Sequence, residues 1–241
     1  MTCTRLSASI LAGLLLLAVS SDAFRLGAGD GAASTRRVHS YATRFEKAEN
    51  PLSEGGRWLS ARSVGHDWAD VACEPGFAYG LENGLLGYDD ATALLSGDWG
   101  PDQEAEATVH ATNPNLKTWE EVELRLRSTL APHSCTGYEI LFRCSKADEA
   151  YSDIVRWDGP LAKFTYLTHK EGSKYGVKEG DVVKATMIGP KITVYLNGTL
   201  IAEAWDRTFT SGSPGVGFFL QADTGLNKNY GFTRFSATDA P

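Results

Sequence analysis

The stretch Glu121 to Arg127, EVELRLR, places two carboxylates and two guanidiniums at every second residue. On a strand, Glu121, Glu123, Arg125 and Arg127 share one face while Val122, Leu124 and Leu126 share the other. Same-face neighbours stand about 7 Å apart, within the range at which two carboxylates flank a glycosidic bond. Arg125 and Arg127 beside them would hold carboxylate pKa values down, which opposes duty as a general acid. A solvated face of cross-strand ion pairs is the competing reading.

Arg143, Arg156, Tyr138, Tyr151 and His169 supply the other parts that sugar chemistry asks for: an anion-neutralising cation and a Tyr or His to move a proton. The candidate catalytic set is Glu123, Arg125, Arg143, Tyr138 and His169, and cross-strand Arg and aromatic pairs that only hold a sheet together are its alternative. Binding asks for less, an aromatic platform and a few polar groups. Trp157 in RWDGP sits where a strand meets a turn, and with Arg156, Tyr151, Glu139 and Arg127 it forms the candidate ligand-binding set. Of Trp58, Trp68, Trp99, Trp119 and Trp205, most read as core or edge packing, since tryptophan is buried on average. Asp89 and Asp90 in GYDDA, with Asp98 and Asp102 in GDWGPD, offer oxygens for a structural calcium ion, or else cap turns. There is no HExxH or GxSxG, and GSPGVG at 212–217 opens no helix and reads as a turn.

The elements that must position these residues are strands. Period-two alternation marks AEATVH (105–110), EVELRLR, YEILFRC (138–144), YSDIVRW (151–157) and FTYL (164–167), separated by Asn113-Pro114, Pro132-His133, Asp158-Gly159-Pro160, Glu179-Gly180 and Gly189-Pro190. Ile192, Val194 and Leu196 alternate with Thr193 and Tyr195 into Asn197-Gly198, a hairpin signal because a type I′ turn needs positive φ at both central residues. Asn197-Gly198-Thr199 also matches a glycosylation sequon, which the hairpin accounts for without a glycan. Amphipathic helical period is missing, apart from a possible turn over 89–95. The pattern predicts an all-β fold, a two-sheet antiparallel jelly-roll sandwich, with YGFTRFSA (230–237) closing beside the first strand.

Arg5, the apolar run Ile10 to Val19 and small residues at Ala18, Ser20 and Ala23 read as an export signal over 1–23. A linker is expected over 24–40 and one domain over 41–241. The run is short for a membrane span, and no second one follows, so a soluble, secreted or extracytoplasmic protein is expected. A net charge of −7 and a pI near 5.3, with no basic stripe, argue against nucleic acid as partner. Of the cysteines beyond the leader, Cys135 and Cys144 stand at opposite ends of one predicted strand, too far apart to bridge. Cys73 paired with one of them is therefore the expected disulfide, and three buried thiols the alternative.

RFEKAENPLSEGGRW (44–58) resembles the opening of concanavalin A-like (laminin-G-like) jelly-roll domains of secreted and phage-borne proteins. The resemblance runs on through GYDDATALLSGDWGPDQEAEATV, GYEILFRC, YSDIVRWDGPLAKFTYL and GDVVKATMIGPKITVYLNGTLIAEAWD. It implies the fold, and a function among lectins, carbohydrate-binding modules, glycoside hydrolases and polysaccharide lyases. The E-x-D-x-x-E strand of laminarinase-like members is absent. Glu123-Leu124-Arg125 matches only part of the R-x-E-x-R of alginate lyases, whose C-terminal Y-x-K-x-G-x-Y-x-Q is replaced here by KNYGFTRFSA. The expectation is a domain that contacts extracellular polysaccharide or glycoconjugate. A lyase or hydrolase on the same fold, or an adhesive domain, stands as the alternative.

Overall fold

Alternating apolar and polar residues become strands because period two lets one face go dry while the other stays polar. The computed structural model describes residues 38–85, 87–112, 117–224 and 226–241. The predicted leader 1–23, the linker as far as residue 37 and the Asn113-Pro114 turn lie outside the described residues. Along the chain the strands are β1 (Ser40–Thr43), β2 (Trp58–Ser60), β3 (Val71–Glu74), β4 (Phe77–Gly80), β5 (Ala91–Leu95), β6 (Gln103–Ala111), β7 (Trp119–Ala131) and β8 (Ser134–Arg143). They continue with β9 (Tyr151–Gly159), β10 (Phe164–Glu171), β11 (Val182–Ile188), β12 (Lys191–Leu196), β13 (Thr199–Trp205), β14 (Ser213–Gln221) and β15 (Tyr230–Thr238).

Two antiparallel sheets result. One runs β13-β12-β11-β6-β15-β4-β3 with β1 added against β15, and the other runs β10-β9-β8-β7-β14-β5-β2. Between them lie Val122, Leu124 and Leu126 of β7 and Ile140 and Phe142 of β8, packed with Val183, Ala185 and Met187 of β11. The closing strand falls where expected, Tyr41 opposite Ala237. The hairpin also forms: Asn197 and Gly198 take φ of 51° and 76°, and the Asn197 side chain holds Val182 N and Asp181.

Three expectations are corrected. The possible turn over 89–95 is β5, all five of whose residues are buried, a uniform burial that leaves no alternation to read. GSPGVG is no turn: from Ser213 on it is the first half of β14, hydrogen-bonded between β5 and β7 in the middle of its sheet. Its glycines are there for space: a Cβ on Gly215 would fall 2.3 Å from the Ala93 carbonyl oxygen.

The third correction is the disulfide: Cys73, Cys135 and Cys144 are all free and buried. Cys135 and Cys144 do flank the two ends of β8, but Cys73 and Cys144 lie in the core between the sheets while Cys135 packs on the far side of the seven-stranded sheet. Burial pushes the thiols up, Cys73 to about 11 and Cys135 to about 12. We expect these three thiols to resist a maleimide in the native protein and to label fully in denaturant without reductant. A cysteine that labels only after reduction would contradict this.

Candidate functional site

β7 carries the site. Val122, Leu124 and Leu126 fill the core, so Glu121, Glu123 and Arg125 emerge on the outer face of the seven-stranded sheet. There Glu123 stands opposite Gly217 of β14 and Leu141 of β8, and Arg125 opposite Gly215 and Glu139. Arg125 is buried, with its side chain 1% exposed. Its Nη2 donates to Glu123 Oε2 at 2.5 Å and lies 3.4 Å from Asp90 Oδ2, while Nη1 contacts Glu139 Oε2 at 2.6 Å. Trp157 Nε1 donates to that same Glu139 oxygen at 2.5 Å, and the guanidinium lies 5.9 Å from the Trp157 ring centre. Gly217 makes the room, because a Cβ there would fall 2.1 Å from Glu123 Oε2.

Above this cluster opens a groove of about 520 Å³. YSDIVRW on β9 presents Tyr151, Asp153, Val155 and Trp157 to it by simple alternation, and β10 adds Phe164 and Tyr166. A bulge between Tyr166 and Thr168 re-aims β10 so that His169 stands opposite Asp153, with Nδ1 2.8 Å from Oδ1. The Tyr151 hydroxyl donates to Glu121. Beyond Trp157 the connection from β2 to β3 folds over the sheet: Trp68 meets the Trp157 ring edge-on at 5.2 Å, and His66 stacks on Trp68 at 3.6 Å. That cover buries Leu130, Cys135 and Leu141 and closes one end of the face. Tyr166, Tyr88 and Trp119 remain 57%, 46% and 41% exposed around the open part.

The cluster's charges oppose one another. Burial raises Glu123 and Asp90 well above ordinary carboxylates, repulsion from Glu139 raises them further, and Arg125 pulls the other way. Burial also works against the Arg125 charge, but Glu139 and Glu123 outweigh it and the guanidinium ends more basic than usual. Glu121 is raised by burial, with the Tyr151 hydrogen bond pulling down and the neighbouring carboxylates pushing up. Burial drives His66 down to about 3, helped by repulsion from Arg125, so it is neutral at any ordinary pH.

The expected site residues separate into distinct places. Glu123, Arg125, Glu139, Tyr151, Trp157 and His169 gather at or beneath the groove. Arg143 lies at its edge, 5.6 Å from the Trp119 ring and 5.7 Å from Tyr151, and donates to the Thr118 and Glu149 carbonyls. Tyr138 and Arg156 face away. Tyr138 packs its ring in the core and donates to Asp206, which also binds Arg156 Nη1 at 2.6 Å. Arg127 leaves the ladder because β7 bulges between Leu126 and Thr129; at φ 45° it points to the carbonyls of Pro101, Gly189 and Phe209 and ties loops together. The four residues Glu123, Arg125, Arg143 and Arg156 therefore do not converge in one groove. Of the Asp89-Asp90 pair only Asp90 joins a cluster suited to a cation, with Glu123 and Glu139, ligand oxygens within 4.8 Å of one another. Arg125 already supplies positive charge there, and Asp89 is raised by burial outside it.

Asp153, Phe164, Tyr166, Trp119 and Phe219 also line the groove and were not among the expected site residues. The alternation of YSDIVRW and FTYL points to the first three, since it sets Asp153 on the face of Trp157 and Phe164 on the face of Tyr166.

No protein-family model matches the chain, and no curated protein matches it in sequence. Solved structures do match. The carbohydrate-binding module CBM66 from Bacillus subtilis is 17% identical over 72% of this chain and 96% of its own, with a TM-score of 0.51. The fold is the concanavalin A-like jelly roll. The Emp47p carbohydrate recognition domain is 12% identical over 82% of this chain and 94% of its own, with a TM-score of 0.49. A β-porphyranase of the human gut bacterium Bacteroides plebeius is 8% identical over 83% and 92%, with a TM-score of 0.47. Among the described residues no helix is long and apolar enough to cross a membrane.

Two predictions follow from the charges. Burial lifts Glu120, on the core side of β7, from 4.5 to about 7. The folded state keeps that proton where the unfolded chain has lost it, so stability falls as pH rises from 4.5 to 7, and the raised Glu121 and Asp90 add to the fall. Asp206 runs the other way: burial opposes its charge, but the hydrogen bonds from Tyr138, Thr208 and Arg156 hold it at about 2 against 3.8, so its contribution is lost as pH drops from about 4 to 2. The melting temperature should peak between about pH 4 and 5, and Glu120→Gln should flatten the neutral limb; a melting temperature rising from pH 5 to 7 would contradict this. Arg125→Met leaves buried carboxylates without their cation and should cost about 3–5 kcal/mol, read as a shifted urea midpoint.

Proposed function

We propose that this jelly roll is an exported glycan-binding domain whose site is the groove over Arg125. The observation that carries the reading is the pairing of half-exposed rings, Trp119, Tyr166 and Tyr88, with carboxylates already fixed in position. Pyranose rings offer flat C–H faces to aromatic rings and hydroxyl donors to carboxylate acceptors, so each part of the groove meets one part of a sugar. Arg125 and Trp157 hold Glu139 from one side, and Tyr151 and His169 hold Glu121 and Asp153, so the acceptors lose little freedom when a ligand arrives. The apolar run Ile10 to Val19 and the small residues after it support export to where polysaccharides and glycoconjugates are found.

A scaffold shared with a module named for carbohydrate binding agrees with this reading. Binding rather than cleavage is favoured because Glu123 is fully buried and paired to Arg125, while Tyr138 and Arg156 are engaged with Asp206 on the other side of the sheet.

A glycan panel read for both retention and product tests this. Retention without new reducing ends or unsaturated products is expected. Trp119→Ala combined with Tyr166→Ala, both at the surface, should keep the fold and weaken the retained glycan about tenfold or more. Unchanged binding by that double variant, or no retention of any glycan, would overturn the reading, and product release would replace binding with catalysis.

A further inference from the structure

The groove is lined by more carboxyl groups than a neutral sugar requires. Asp90, Glu121, Glu139 and Asp153 line it, against a single imidazole, His169. Two guanidiniums stand nearby. Arg125 lies beneath the floor in contact with Glu123, Glu139 and Asp90, and Arg143 sits at the edge against Trp119 and Tyr151. Five carboxyl groups, counting Glu123, thus share two permanent cations, and burial opposes the charge of Asp90, Glu121, Glu123 and Asp153 for as long as no further cation is present. Independently of that excess, Glu123 is 0% exposed and its Oε1 has no hydrogen-bond partner, although Asp90 and Glu139, which reach the groove, hold oxygens within 4.8 Å of its carboxylate. The walls are aromatic faces, Trp157, Phe164, Tyr166 and Tyr151 among them. Ring faces around carboxylates, in a partly desolvated cleft, are the surroundings that favour an ammonium group.

We propose that the preferred ligand of this groove is a glycan bearing free amines, a deacetylated 2-amino sugar whose ammonium group seats among Glu121, Glu139 and Asp153 against the aromatic wall. This rests on the glycan-binding reading and names the ligand class for the same site. The ammonium supplies the positive charge that the lining lacks, and the sugar ring occupies the exposed faces of Tyr166 and Trp119. An N-acetylated sugar presents the same ring without the charge, and a sulfated or uronic-acid chain brings charge of the wrong sign. A simple amine or a lysine-rich peptide brings the charge without the ring.

Calorimetric titration of the whole protein with glucosamine oligosaccharides, their N-acetylated counterparts and a lysine-rich peptide of equal charge tests this. The free-amine oligosaccharide should bind about tenfold or more tightly than its N-acetylated counterpart, with the advantage shrinking at high salt. The peptide should bind at least tenfold more weakly than the free-amine sugar. Asp153→Asn, which keeps the side-chain shape, should reduce the preference for the free amine, with the thermal melt as the check on folding. Equal affinity for the two sugars, or peptide binding as tight as the amino sugar, overturns the proposal while leaving glycan binding standing. No binding to these or to any panel glycan would instead overturn the glycan reading itself.

Discussion

A guanidinium with 1% of its side chain exposed needs partners on every side, and the middle of the seven-stranded sheet is arranged to provide them around Arg125. Three elements contribute carboxylates: Glu123 from the same strand, Glu139 from β8 and Asp90 from just before β5. β14 contributes by absence, since Gly217 leaves the volume that the Glu123 and Arg125 side chains fill. Buried charge of this kind adds little net stability, because desolvation offsets most of the attraction, but removing one partner is costly. Its consequence here is positional: the cluster fixes Glu139, Glu139 fixes the Trp157 indole, and Trp157 anchors the cover formed by Trp68 and His66.

The groove inherits its character from that arrangement. With one end covered, the open part is bordered by half-exposed rings and by carboxylates whose orientations are set from below or beside. The remaining polar ties serve the sandwich rather than the groove. Arg127 and the Tyr138–Asp206–Arg156 set join loops and strands on other faces, so their loss would act on stability before it acted on a ligand.

Much of the fold was legible because exposed strands alternate. EVELRLR, YEILFRC and YSDIVRW all became strands, with the faces their periods assign as far as Leu126 in the first, and Asn197-Gly198 turned the hairpin it implied. What escaped were segments where tertiary demands erase the period. β5 is buried throughout, and β14 is glycine-rich because its neighbours need the space. The ladder Glu121, Glu123, Arg125, Arg127 was right for its first three members. Its fourth was carried off by a bulge, and the first three were expected to be solvated whereas they are buried beneath side chains from β9, β10 and the segment before β5. Burial of that sort depends on long-range packing that no local pattern encodes.

The central claim is the proposal that a glycan is recognised on the outer face of the seven-stranded sheet, over Arg125. Indole resonances followed during titration with the bound oligosaccharide locate the ligand directly, since the six tryptophans are spread over both faces. The account predicts shifts at the Trp119 and Trp157 Nε1–H signals, with Trp58, Trp99 and the exposed Trp205 unchanged. Shifts confined to Trp205 or Trp99, with Trp119 and Trp157 still, would contradict it.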